Sequence, residues 1–171
     1  MKINHLQVDN PDFHVDKTIA AAPGSNAGTE VAVEVTYEPS RIGESRSTLT
    51  ITSPIGGDYT FPLFGSAIAP KPQGPFTVKA GSTTSISFRN VFLSTTAFTF
   101  HVDNPLFHVA KSGESIRSRK DHRVVVGFDG NDSSSKAAVM GKLVVSCAKS
   151  AGGMTNAQWV YYLKGVTPET K

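Results

Sequence analysis

The sequence is short of the residues and patterns that build disulfide frameworks, metal sites and membrane spans. Its single cysteine, Cys147, excludes an intramolecular disulfide and a multi-cysteine metal site. No apolar run approaches the roughly 20 residues a membrane helix needs, so no membrane insertion is expected. The opening Met1-Lys2-Ile3-Asn4-His5 has no apolar stretch of the kind a secretory signal carries. The one N-glycosylation-type triplet, Asn131-Asp132-Ser133, therefore carries no weight. The five histidines show no pairing with each other or with cysteine at metal-ligand spacing. No G-x-S-x-G, P-loop, G-x-G-x-x-G or H-E-x-x-H pattern occurs. These absences leave no reaction and no cofactor proposed, and the protein is expected to be soluble and to work in a reducing compartment. Charged residues make up only 18% and hydrophobic residues 39% of the 171, enough to bury a core.

What the sequence does have is a repeat. Val8-Asp9-Asn10-Pro11-Asp12-Phe13-His14-Val15-Asp16-Lys17 returns as Val102-Asp103-Asn104-Pro105-Leu106-Phe107-His108-Val109-Ala110-Lys111. Eight of the ten positions are identical at an offset of 94 residues. Leu49 and Ile51 correspond to Leu143 and Val145, Val31–Tyr37 to Val124–Phe128, and Phe61–Gly65 to Tyr161–Gly165. Missing the repeat would misassign the fold. The copies are unequal, because the second has a lead-in, Phe76-Thr77-Val78 and Thr84–Phe92, with no counterpart ahead of Met1. The expected organisation is a first unit over 1–68 lacking its opening strands, a Pro-rich linker over 69–75, and a complete second unit over 76–167. Three prolines in the linker remove backbone donors and stiffen it.

The apolar pattern has period 2 nearly throughout, the mark of half-buried strands. Val31, Val33, Val35 and Tyr37 are expected on one face, as are Phe61 and Leu63. In the second unit the same holds for Phe98, Phe100 and Val102, for Leu143, Val145 and Cys147, and for Ile86, Phe88 and Val91. Turn residues recur at about ten-residue intervals: Pro23–Asn26, Pro39–Gly43, Pro54–Asp58, Asp129–Asp132 and Gly152-Gly153. No 3.6-residue period marks a helix. The fold class is all-β, with tandem antiparallel immunoglobulin-like sandwiches.

Charge divides between the units. Residues 1–70 hold 4 Lys/Arg against 8 Asp/Glu, and residues 71–171 hold 13 against 6. The concentrated feature is Arg117-Ser118-Arg119-Lys120-Asp121-His122-Arg123, placed in the connection before the Val124 strand. Without interleaved aromatic residues it suits an acidic protein partner better than a nucleic acid. Trp159, Tyr161 and Leu163 alternate with Val160 and Tyr162, so one face fills the core and the other presents Tyr162. Arg117, Arg119, Lys120, Arg123 and Tyr162 are the protein-binding candidates. The repeated Asp-Asn-Pro reads as a turn whose side chains cap backbone groups, His14 and His108 as exposed strand-edge residues, and Cys147 as a buried, inert thiol.

Val33-x-Val35-x-Tyr37-x-Pro39, Gly43, Leu49-x-Ile51-x-Ser53 and Phe61-x-Leu63-x-Gly65 resemble the ASH (PapD-like, major-sperm-protein-like) domains of Hydin-type ciliary proteins. Lys71–Phe76, Phe88–Phe92, Met140–Val145 and Trp159–Gly165 are similar to the C-terminal region of cilia- and flagella-associated protein 47. The resemblance implies a non-enzymatic scaffold segment of the central apparatus of a ciliary or flagellar axoneme. It implies cytoskeletal localisation and binding to other axonemal proteins, those with acidic surfaces in particular. The missing opening strands are expected to come from an upstream piece of a longer chain or from strand donation by a partner. The alternatives are a major-sperm-protein-like adaptor binding acidic peptides, and an accessory β-sandwich binding module of an enzyme.

Overall fold

The computed structural model of the chain describes residues 2–21, 30–130, 138–147 and 157–167. The expected turns Pro23–Asn26 and Gly152-Gly153, and the triplet Asn131-Asp132-Ser133, lie outside the described residues. The described chain is all-β, and it divides into two compact units, Met1–Ile68 and Ala69–Lys171.

The first unit contains β1 (Lys2–Val8), β2 (Phe13–Val15), β3 (Thr18–Ala21), β4 (Val35–Tyr37), β5 (Gly43–Ser53) and β6 (Gly57–Ala67). One sheet runs β3-β1-β5-β6 and the other is the pair β2-β4. The second unit contains β7 (Gln73–Lys79), β8 (Thr83–Arg89), β9 (Thr96–Val102) and β10 (Phe107–Val109). It continues with β11 (Gly113–Ile116), β12 (Asp121–Phe128), β13 (Val139–Ser146) and β14 (Gln158–Val166). Its sheets run β11-β9-β13-β14-β7 and β10-β12-β8. Every pairing is antiparallel except β7 with β14, which is parallel.

Strand register matches the repeat residue by residue. Leu49 lies between Val8 and Phe61, and Leu143 between Val102 and Tyr161. Ile51 likewise faces Tyr59 while Val145 faces Trp159. Side-chain direction alternates along a strand, so this register assigns each residue of β6 the same face as its counterpart in β14.

The second unit buries a continuous core. Ile86 and Phe88 of β8 meet Phe98 and Phe100 of β9, Val124, Val126 and Phe128 of β12, and Leu143, Val145 and Cys147. Trp159, Tyr161 and Leu163 close it from β14. Phe88 sits edge-on to Phe98 and Trp159, with ring centroids 4.8 and 5.1 Å apart, the geometry favoured by the ring quadrupoles. The first unit buries far less: among its described side chains only Leu6, Phe13 and Leu49 are buried apolar residues.

Three expectations need correction. The strand expected over Val31–Tyr37 is formed only by Val35–Tyr37, and Val31 is exposed. Its counterpart β12 runs eight residues because β8 hydrogen-bonds along it, whereas β4 pairs only with the three residues of β2. Val91 lies past the end of β8, which stops at Arg89; it packs part-buried against the core that holds Ile86 and Phe88, while its neighbours Asn90 and Phe92 are fully buried. Finally, Gln73–Pro75 already belong to β7, so the connection between strands is Ile68–Pro72.

Candidate interaction surfaces

The two Asp-Asn-Pro corners carry the same hydrogen bonds. The amide of Asn10 donates to the Arg46 carbonyl at 2.9 Å, and that of Asn104 to the Met140 carbonyl at 3.0 Å. Each Asn side-chain oxygen accepts the backbone N–H two residues on, from Asp12 and Leu106, at 3.0 Å. Asp9 accepts from the Thr48 N–H at 2.8 Å and from the Ser47 hydroxyl at 2.7 Å, while Asp103 accepts from the Lys142 N–H at 2.7 Å. The bond from Thr48, then that from Ser47, holds the Asp9 carboxyl below the usual aspartate range. The motif is a clamp between the corner and strand β5 or β13, and its carboxylates are committed to backbone donors.

A second shared device lies beneath each corner. Phe13 packs on Tyr37 with centroids 4.7 Å apart, and Phe107 on Phe128 at 4.9 Å. Tyr37 lies across Gly65 and Phe128 across Gly165, where a Cβ would collide with the ring. The histidines of the motif are exposed and each faces an acid. His14 Nε2 is 3.6 Å from Glu38 Oε2, and His108 Nδ1 is 2.8 Å from Asp129 Oδ2.

Asn90 is a functional residue of the scaffold that sequence reasoning missed. Fully buried, it donates from Nδ2 to the carbonyls of Ser94, Ile116 and Arg117, at 2.9, 2.9 and 3.1 Å. Its Oδ1 accepts the Phe92 N–H at 2.9 Å, and its own N–H reaches the Lys120 carbonyl at 3.0 Å. One buried amide thus ties the β8–β9 connection to the β11–β12 turn. The only signal available was an Asn between two apolar runs, which reads equally well as a surface turn.

That turn carries the basic run. Residues 117–120 form the connection, closed by the Lys120 N–H on the Arg117 carbonyl, and Arg119 takes a positive φ of 57°. Asp121, His122 and Arg123 belong to strand β12, so Arg123 is a strand residue and not part of the connection. Arg117, Lys120 and Arg123 are exposed; Arg119 is half-buried. Asp121 pairs with Arg89 at 3.3 Å, leaving the charge of the turn strongly positive. The turn and the start of β12 thus expose three cations, Arg117, Lys120 and Arg123.

Tyr162 stands apart from it. It is exposed on the outer face of β14, opposite Lys142 of β13, with Met140 exposed on the same face. β14 is three strands away from β11 in the sheet, so the topology does not bring Tyr162 together with the basic turn. Cys147 is buried, and burial raises its thiol above the ordinary range, against a reactive thiolate. Among the described residues no group of three His, Cys, Asp or Glu side chains is placed to hold a metal ion. No helix among the described residues is long and apolar enough to cross a membrane.

Strand β6 of the first unit exposes aromatic side chains. Tyr59 and Phe61 of β6 are 52% and 47% exposed, whereas their counterparts Trp159 and Tyr161 are 8% and 3% exposed. Among the described residues β6 is a sheet edge, and so is β4; their counterparts β14 and β12 are covered by β7 and β8.

No family model matches the chain. Among solved structures, the D00-D0 domain of Intimin has a TM-score of 0.42 at 8% identity, covering 96% of this chain and 86% of that one. The assignment as tandem immunoglobulin-like β-sandwiches rests on the strands themselves. Among curated proteins the chain is 48% identical over 164 residues to the mouse Hydrocephalus-inducing protein, Hydin. It is equally 48% identical, over 163 residues, to the human Hydrocephalus-inducing protein homolog. The matches cover 96% and 95% of this chain but only 3% of either relative, so the chain is similar to a small section of a very long protein of the Hydin type.

Proposed function

We propose that this chain is a non-catalytic scaffold segment of a Hydin-type ciliary protein, working by protein–protein binding in the axonemal central apparatus of cilia and flagella. The observation that carries the reading is the 48% identity sustained over nearly the whole chain to the Hydrocephalus-inducing proteins. The all-β architecture supports it, since the side chains with chemical potential are engaged in holding strands together. The Asp-Asn-Pro carboxylates clamp backbone amides, and Cys147 lies in the core. The similarity of the second unit's motifs to cilia- and flagella-associated protein 47 belongs to the same reading, as does the ASH type of the domain.

The binding surface in this reading is the basic turn, with Arg117, Lys120 and Arg123 presented to an acidic partner and Arg119 shaping the turn. The outer face around Tyr162 is a second contact. Affinity purification from ciliated cells with the chain as bait, followed by mass spectrometry, tests the assignment. The expected catch is a set of axonemal proteins whose recovery falls as salt rises, and falls further on charge reversal at Arg117, Lys120 and Arg123. Recovery without axonemal proteins contradicts the assignment. Axonemal capture that ignores both salt and charge reversal contradicts the turn alone.

A further inference from the structure

In the second unit, the segment preceding β9 does two jobs. β7 pairs in parallel with β14 from Tyr161 to Val166, and β8 pairs with β12 from Asp121 to Gly127. This strand–turn–strand segment, whose two strands lie in different sheets, thereby extends both sheets on the same side, and Val78, Ile86 and Phe88 enter the core between them. Its turn is fixed to the strands it covers. The Gly81 N–H donates to the Phe128 carbonyl and the Ala80 N–H to the Val166 carbonyl, both at 2.9 Å.

In the first unit β6 stands in register with β14, and β4 answers the last three residues of β12, so each sheet offers an edge to such a segment. The inner face of β6 offers Tyr59, Phe61 and Leu63, apolar side chains at the places of Trp159, Tyr161 and Leu163. The outward-facing positions of β6 hold Asp58, Thr60, Pro62 and Phe64, and Phe64 has the Arg46 guanidinium over its ring. Tyr37, the counterpart of Phe128, also carries a buried hydroxyl with no hydrogen-bond partner among the described residues. A buried hydroxyl is ordinarily satisfied, so this one points to a group still to arrive.

We propose that the open side of the first unit is the docking site for a strand–turn–strand segment of the β7–β8 kind, supplied in cis from the N-terminal side by the polypeptide of a longer protein. One strand adds to β6 in parallel and the other to β4 antiparallel, and their inward apolar side chains cover Tyr59, Phe61 and Leu63. The source in cis follows from the repeat, in which the β7–β8 segment directly precedes the strand equivalent to β1. It also follows from relatives of which this chain spans only 3%. Backbone pairing supplies the affinity, and the alternate side chains supply the register. This inference is independent of the ciliary assignment, because it concerns only how the first unit is completed.

The test compares the 171-residue chain with the same chain extended at its N-terminus by the about 30 native residues that would form two strands and their connections. Amide hydrogen exchange is read over β4 and β6, and sedimentation reports the oligomeric state. The expected result is a monomer in both cases, with exchange in β6 slowed more than about tenfold in the extended chain. Phe61→Asp is expected to leave exchange in the 171-residue chain unchanged and to abolish the gained protection in the extended one. Exchange in β6 that stays equally fast after extension overturns the proposal. So does a 171-residue chain that protects β6 by self-association, which would make a second copy the occupant.

Discussion

Phe61 and Tyr161 hold the same place in two copies of one design. Each stands opposite the leucine of the neighbouring strand, two residues before another leucine and four before a glycine that receives an aromatic ring. Yet Tyr161 lies in a closed core and Phe61 is half in water. The difference is not in the strand. It lies in what is packed over it, and it shows that a strand's sequence fixes which face is apolar while burial depends on a neighbour that can be far away in the chain. Clamp, aromatic–glycine contact and register are common to both units. Closure by β7 and β8 belongs to the second alone.

Six substitutions probe this contrast, and the largest effect is expected in the closed core. Tyr161→Ala should cost the second unit about 3 kcal/mol or more, through lost burial and the cavity left behind. Phe61→Ala should cost the first unit less than about 1 kcal/mol, as surface changes do. Denaturant unfolding followed by Trp159, the chain's one tryptophan, measures the former, and residue-resolved exchange in β5 and β6 the latter. Equal costs would mean that the two units are equally closed.

Next in size is Asn90→Ala, which removes a buried side chain whose amide satisfies three carbonyls and whose oxygen satisfies an amide. About 2–3 kcal/mol of destabilisation is expected, because unsatisfied buried carbonyls remain behind. Leu93, exposed in the same connection, should tolerate alanine within about 0.5 kcal/mol. A mild Asn90→Ala would show that water replaces the amide and that the basic turn does not depend on it.

Gly74→Ala tests the edge that closes the second unit. At a φ of +110°, its Cβ would fall 2.6 Å from the Tyr162 carbonyl oxygen, where β7 shifts register against β14. A loss of about 1–2 kcal/mol is expected, with faster exchange confined first to β7. The smallest effect concerns acid. Because the folded state holds the Asp9 carboxyl below its ordinary value, its clamp contributes fully above about pH 4 and is lost as the pH falls through the lowered value. The Thr48 amide resonance, followed from pH 6 to pH 2, should move with that titration. Asp9→Asn should flatten its response without unfolding β5.

The sequence made the strands legible because alternation and register are local. Leu143, Val145 and Cys147 point inward as their spacing requires, and so do Trp159, Tyr161 and Leu163. The Asp-Asn-Pro clamp was legible too, since short polar side chains beside proline have few other uses. What escaped was set by tertiary neighbours. The Val31–Tyr37 run alternates as well as any strand here, but beyond Val35–Tyr37 it does not assemble into strand. Asn90 looked like a turn residue because nothing in its flanks reveals three carbonyls converging from its own connection and from the end of β11. The basic run was visible as composition, but its division into a turn and a strand start depends on the backbone at Arg119. Its role in binding is part of the proposed function and awaits the charge-reversal experiment.

The central claim is that the units share one strand plan and that only the second is closed. Amide hydrogen exchange on the intact 171-residue chain, comparing Tyr59–Gly65 in β6 with Trp159–Gly165 in β14, tests it most directly. Protection in β14 is expected to exceed that in β6 by at least about a hundredfold, since one strand is flanked on both sides and the other is an edge. Equal protection at these paired positions would contradict the account.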